Sequence, residues 1–173
     1  LPLLTIPGDE TSFLHMNTLP IPLLTRLREF VGRYEGKGTN HTGDSFHADF
    51  LIDDALDGSL IEIRFRAKDT DNTFHEERTW ITEDLTTNQM AMWTVSSNTP
   101  GMLRLELVED KSDGSYLSLL TFRIGRPEDT SRFREQIQIG LRHDRAIEYV
   151  YSWGVPHEAF GLKSKALLKR VMA

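Results

Sequence analysis

The sequence predicts an all-β domain: an antiparallel up-and-down barrel of about ten strands, closed on itself, with one short helix ahead of it. Three observations carry this. From Tyr34 onward, short runs with a two-residue period follow one another at regular spacing. Turn residues separate them, among them Thr42-Gly43-Asp44, Asn98-Thr99-Pro100-Gly101, Gly125 to Asp129 and Gly154-Val155-Pro156. Before the first run stands a single apolar stripe at the helical period. No helical pattern interrupts the later runs, so consecutive strands are expected to pair, and a twisted meander of that size closes and removes its edges.

Taken in order, residues 1–20 hold Pro2, Pro7, Gly8 and Pro20 among Leu3, Leu4, Ile6, Phe13 and Leu14. They are expected to form either an extended arm, laid on the surface or on a second copy as a homodimer, or a partly ordered tail, ahead of one barrel domain over 21–173. Leu23, Leu24, Leu27, Phe30 and Val31 then fall at i, i+1, i+4, i+7 and i+8, with Arg26, Arg28 and Glu29 on the other side. Pro22 suits a first turn and Gly32 the position after the last, so a helix of about three turns is predicted over 22–31, plugging one end of the barrel. Strands are predicted at 33–41, 45–53, 59–68, 73–82, 87–96, 101–110, 115–124, 131–141, 145–153 and 159–171. In the first, Gly36 and Gly38 strip side chains from one face, which permits sharp coiling or the close approach of another segment.

The alternation defines faces without saying which is inside. Ile61, Ile63, Phe65 and Ala67 oppose Glu62, Arg64 and Arg66; Phe74, Glu76, Arg78 and Trp80 oppose His75, Glu77, Thr79 and Ile81; Phe133, Ile137 and Ile139 oppose Arg134, Gln136 and Gln138. A barrel that holds an amphipathic ligand can carry arginine inside.

Composition narrows the function classes. A chain of 173 residues is long enough for one core and a cavity. A net charge of −6 with no strong basic cluster argues against a nucleic-acid partner. There are no cysteines, which excludes disulfides, thiolate metal sites and a cysteine nucleophile. No apolar run reaches the roughly 20 residues of a membrane-spanning helix, and a soluble, cytoplasmic protein is expected.

Two groups of side chains stand out as ligand-binding candidates. Arg64, Arg66, Glu76 and Arg78 lie on adjacent strands near Trp80 and Trp93; facing inward they would hold a carboxylate, and facing outward they would form a cross-strand ion-pair ladder. Tyr149, Tyr151 and Trp153 make an aromatic face that fits either a core or a ligand platform. Met90, Met92 and Met102 could add an adaptable lining to a cavity. His41, His47 and His75, with Asp49 or Glu77, are the set best placed to converge on a metal, although surface and turn histidines are the ordinary outcome. Glu76 and Glu77 point to opposite faces and cannot act as a pair, Gly-x-Ser-x-Gly is absent, and no residue is identified as catalytic.

The stretch Gly32-Arg33-Tyr34-Glu35-Gly36-Lys37-Gly38, with a helix before it and further strands behind it, resembles the opening of the calycin barrels, which include lipocalins, fatty-acid-binding proteins and nitrobindin-like haem proteins. Nitrobindin-like chains have Gly-x-Trp-x-Gly-x-Gly there, and Tyr34 replaces the Trp. Their closing Pro-His-Leu-x-Ala-x-Leu-x-Arg is matched at Ala166, Leu168 and Arg170, while Lys163 stands where the haem-ligating His would be and Ser164 follows it. An uncharacterised bacterial lipocalin-like family with the same meander is a similar match. The resemblance implies a barrel that binds a small hydrophobic or amphipathic ligand such as a fatty-acid-like carboxylate. The alternatives are a haem-binding or small-molecule enzyme on a nitrobindin-like barrel, with His157 among the substitute ligands, or a non-catalytic interaction protein; the cofactor is left unassigned.

Overall fold

The computed structural model describes residues 22–70 and 72–172. The expected arm over 1–20, and the dimer contact assigned to it, lie outside the described residues. The remainder is one helix, α1 (Pro22–Arg28), and ten strands: β1 (Gly32–Asn40), β2 (Ser45–Ala55), β3 (Leu60–Lys68), β4 (Thr73–Asp84), β5 (Gln89–Ser96), β6 (Leu103–Lys111), β7 (Tyr116–Ile124), β8 (Arg134–Arg142), β9 (Ile147–Gly154) and β10 (Gly161–Arg170). Each strand pairs antiparallel with its neighbours in sequence, and β10 returns to β1 to close the barrel. All ten predicted strands are present, with ends displaced by a few residues.

Helix α1 is shorter than its apolar stripe suggests. Glu29, Phe30 and Val31 donate their N–H groups to Arg26, Leu27 and Arg28, three residues back, so the last turn tightens before Gly32. Leu23, Leu24, Leu27 and Phe30 belong to the same buried cluster as the barrel residues Tyr34, Ile52, Ile63, Ile81 and Leu105, so the helix plugs the barrel as expected. Polar contacts fasten it to the surrounding hairpins. Arg26 pairs with Asp110, Arg28 donates to Asp54 at 3.3 Å and to the carbonyl of Gly58, and Arg145 reaches Glu29 at 3.4 Å. Inside, the Tyr34 hydroxyl donates to the carbonyl of Phe30 at 2.8 Å.

The two glycines of β1 serve packing. A Cβ at Gly36 would collide with the backbone carbonyl of Leu167 on β10, and one at Gly38 with the ring of Phe46 on β2. Their bare face lets the barrel turn sharply there.

The register decides which face is internal. Tyr34 pairs with Phe50, Phe50 with Phe65, Ile63 with Thr79, and Ile139 with Tyr149, so these side chains look into the lumen. Arg64 pairs with Arg78, Arg66 with Glu76, and Trp80 with Trp93 on the outer wall. An apolar interior under a charged exterior is the reverse of the pattern of a barrel that faces lipid. Among the described residues no helix is long and apolar enough to cross a membrane.

Candidate functional site

Helix α1 and the hairpins beside it fill one end of the barrel; the opposite end is open. There the strand ends and the loops 41–44, 97–102, 125–133 and 155–160 surround a cavity of about 410 Å³. Its walls are largely aromatic: Phe46 and Phe65 from β2 and β3, Phe74 and His75 from β4, Phe133 from the loop before β8, and Tyr149, Tyr151 and Trp153 from β9. The rings form a connected cluster of tilted contacts, with Phe50 and Phe65 centred 5.2 and 5.0 Å from Tyr149, and His75 5.9 Å from Phe65 and 6.5 Å from Tyr151.

One carboxyl, Glu77, lines the floor of this aromatic cup, and a second, Glu135, lies behind it on a small adjoining void that Glu77 and Tyr151 also border. Glu77 is in step with Thr79 and Ile81 on the inner face of β4, and its Oε1 accepts from Thr79 at 2.9 Å and from the Tyr149 hydroxyl. Thr79 in turn meets Thr94 at 3.1 Å. The Nε2 of His75 stands 3.6 Å from the other Glu77 oxygen. Glu135 is in step with Ile137 and Ile139 on β8, 1% exposed, and accepts from the Tyr151 hydroxyl at 2.9 Å. Both line a second cavity of about 10 Å³ with Thr94, Ser96 and Tyr151, close to the least space that holds one water.

Burial shapes the electrostatics. Removal from water is the main cause that lifts the Glu135 carboxyl to about 7; Glu77 adds to the rise, and the Tyr151 hydrogen bond and His75 oppose it. Burial, and next to it the negative charge of the glutamates, pushes both tyrosines upward, Tyr151 through Glu135 and Tyr149 through Glu77. The phenols are therefore donors, and Glu135 is a group that exchanges a proton near neutral pH.

Arg134 holds the rim together. Fully buried, it donates to the carbonyls of Asp129 at 2.8 Å, Val155 at 3.1 Å and Glu158 at 2.8 Å, joining the loops on either side of the mouth. Gly154 leaves it room, since a Cβ there would strike the guanidinium.

Of the candidates read from the sequence, Tyr149 and Tyr151 line the cavity. Arg64, Arg66, Glu76, Arg78, Trp80 and Trp93 are on the outer wall. Arg66 pairs with Glu76 at 2.8 Å, and Glu62 lies between Arg64 at 3.1 Å and Arg78 at 3.7 Å, relieving two arginines that sit directly opposite each other. A concavity of about 290 Å³ on that wall is lined by these arginines, Arg33, Asp49 and Glu76, and also reaches Tyr34, Phe50, Phe65 and Glu77 of the inner face. Met92 and Met90 pack at the plugged end and Met102 is exposed, so the methionines lie away from the cavity. The histidine set does not converge: His47 and Asp49 face outward 3.7 Å apart, whereas His75 and Glu77 face inward. Among the described residues no group of three or more His, Asp or Glu side chains is placed to hold a metal.

The haem that the resemblance implies does not fit the donors present. Lys163 stands over the ring of Trp153, its Nζ 4.1 Å from the centroid, in place of the ligating imidazole, and His41, the other histidine of the cavity lining besides His75, is exposed in the β1–β2 turn at the mouth. His157 is exposed in the β9–β10 loop, and His75 is engaged by Glu77. A floor of two carboxyls also opposes an anionic cofactor.

Glu77 and Glu135 went unpaired in the sequence because they lie far apart along the chain. Each is nonetheless an acid in step with an apolar face, Glu77 with Ile81 and Glu135 with Ile137 and Ile139, and that mismatch is the signal that marks them.

No family model and no curated protein matches the chain. Solved structures do: the chain is similar to the crystal structure of Rv2717c from M. tuberculosis, with a TM-score of 0.62 and 12% identity over 88% of this chain and 99% of that one. At that identity the likeness concerns the fold, a closed ten-stranded antiparallel barrel consistent with the calycin type.

Proposed function

We propose that this chain is a calycin-type binding protein that takes a small, partly apolar molecule into the open end of its barrel. The cavity carries this reading: the barrel is packed solid at its helical end, whereas the open end keeps about 410 Å³ clear behind aromatic walls. A merely structural barrel gains by filling that space, since apolar contacts missing across a void are stabilisation forgone. The loops pinned by Arg134 give the mouth a fixed shape, which limits the ordering entropy lost when a ligand enters.

An amphipathic ligand has an apolar body and a polar end. The body fits the rings of Phe65, Tyr149 and Tyr151. A fatty-acid-like carboxylate end would meet Glu77 and Glu135, with the arginines of β3 and β4 on the far side of the wall, so the reading is best supported for a ligand that offers hydrogen-bond donors.

Native mass spectrometry of the full chain, followed by extraction under denaturing conditions, tests the proposal. The expected result is a stoichiometric small molecule that Ala67→Trp, which fills the cavity, excludes. A protein that emerges empty and binds nothing from a chemically diverse panel overturns it.

A further inference from the structure

Resting on the reading of the open end as a ligand site, the geometry points to an organic ammonium ion as the molecule it takes: an apolar body carrying one protonated amine, seated on Glu77 and Glu135.

The carboxyls come from β4 and β8, strands that are not neighbours, and meet across the lumen. Every hydrogen bond they accept comes from a neutral hydroxyl: Thr79 and Tyr149 for Glu77, Tyr151 for Glu135. Among the described residues neither has an arginine or lysine partner, and His75 at 3.6 Å from Glu77 is the nearest group able to carry positive charge. Burying two carboxyls without a full counter-charge is unfavourable, and a bound cation would relieve it.

The carboxyls also keep acceptors to spare. Glu135 accepts through Oε2, and no hydrogen bond to its Oε1 is found among the described residues; that oxygen is not among the fully enclosed unpartnered atoms, and the residue borders the small cavity. The Oε2 of Glu77 has only the longer approach of His75. An ammonium group brings three donors and no acceptor, which matches this inventory; a carboxylate brings the reverse. The aromatic walls suit the same choice, because ring faces attract a cation. At the rim Lys163 already uses this chemistry, with its Nζ 4.1 Å from the centre of Trp153.

Binding is then coupled to protonation. The titratable or charged groups around Glu135 are Glu77 and His75 on β4 and Tyr149 and Tyr151 on β9, with Lys163 of β10 at the rim and Arg134 on the opposite face of β8. An ammonium ion favours the ionised carboxyl, so its affinity falls as pH drops through about 7, where Glu135 takes up its proton.

The test titrates the full chain with three indoles of matched body: tryptamine, its alcohol analogue tryptophol, and indole-3-acetate. Calorimetry gives affinity, and amide NMR shifts at His75 to Thr79 and Tyr149 to Trp153 report the place. Tryptamine is expected to bind at the mouth at least about tenfold more tightly than tryptophol near pH 8, and to weaken by about tenfold towards pH 6, while tryptophol does not. The Glu135→Gln variant should lose that pH response and bind tryptamine more weakly at pH 8, with Glu77 left as the remaining carboxyl. If tryptophol or indole-3-acetate binds the mouth as tightly as tryptamine, the ammonium assignment falls and the cavity reading stands. If none of the three moves the mouth amides at millimolar concentration, both fall.

Discussion

At the plugged end of the barrel, Leu24 and Leu27 of α1 and Phe30 just after it join Ile52, Ile63, Ile81, Met92 and Ile139 in one apolar cluster. At the open end the same strands present Glu77, Tyr149 and Tyr151 to a cavity, with Glu135 on a small void behind it. Beyond the α1 plug, the same ten strands run through both ends. The difference is in the side chains: one end gains stability by closing every gap, and the other forgoes packing and retains ionisable groups that a fold alone does not need. Substitutions at the two ends should therefore separate stability from binding.

The largest effect is expected at the plug. Leu27 is fully buried, and Leu27→Ala removes its side chain from the centre of the cluster. A loss of about 2–5 kcal/mol in urea denaturation is expected, with ligand preference at the mouth retained. A loss below about 1 kcal/mol would mean that the helix rests on the barrel without bearing on its stability.

The open end should respond in the opposite sense. A carboxyl lifted from its ordinary 4.5 to about 7 holds its proton more tightly in the folded chain than in the unfolded one. Below the unfolded value both states are protonated and Glu135 has no pH-dependent effect; as pH rises to about 7 the unfolded chain ionises first and stability falls, by roughly 3 kcal/mol once the folded group ionises as well. Glu135→Gln removes that cost. The variant should be more stable than the native chain near pH 8 and lose the advantage near pH 4, as thermal melting across pH would show. A native fold that loses stability on this change at pH 8 would assign Glu135 to structure instead.

Tyr149→Phe probes the same floor more gently. It deletes one of two hydroxyl donors to the buried Oε1 of Glu77 and leaves Thr79 in place. A loss of roughly 1–3 kcal/mol is expected in denaturant melts, the range for a buried acceptor deprived of a partner. No loss would mean that water replaces the phenol, and that the floor is wetter than its burial implies.

How much of this was legible in the sequence follows the same division. Period-two runs and turn residues gave the ten strands and the closure, because alternation is imposed by a wall with one wet and one dry side. The stripe at Leu23, Leu24 and Leu27 gave the plug, though its length overshot because Val31 continues the apolar spacing after the helix has tightened and ended. Tyr149 and Tyr151 were legible as a ligand platform or a core, and they serve as cavity wall and as hydrogen-bond donors. The carboxyl floor was not legible as a pair, since Glu77 and Glu135 meet only when β4 and β8 face each other across a closed lumen. The most charged stretch, on β3 and β4, drew attention by density alone, and density does not reveal which way a strand faces.

That stretch supplies the smallest expected effect. Arg64 and Arg66 are exposed, and their partners Glu62 and Glu76 lie on the same outer wall. Exposed ion pairs are screened by water and salt and contribute about 0–1 kcal/mol, so Arg64→Ala with Arg66→Ala should change stability by little more than that. Glu62 would still face Arg78, which keeps that carboxylate partnered after Arg64 is gone. Because the barrel wall separates these arginines from the cavity, the double variant should bind a mouth ligand as the native chain does. If affinity instead falls about tenfold or more, the binding site is the 290 Å³ concavity on the outer wall, its chemistry is that of an anion held by arginine, and the contrast between the two ends is a matter of packing alone.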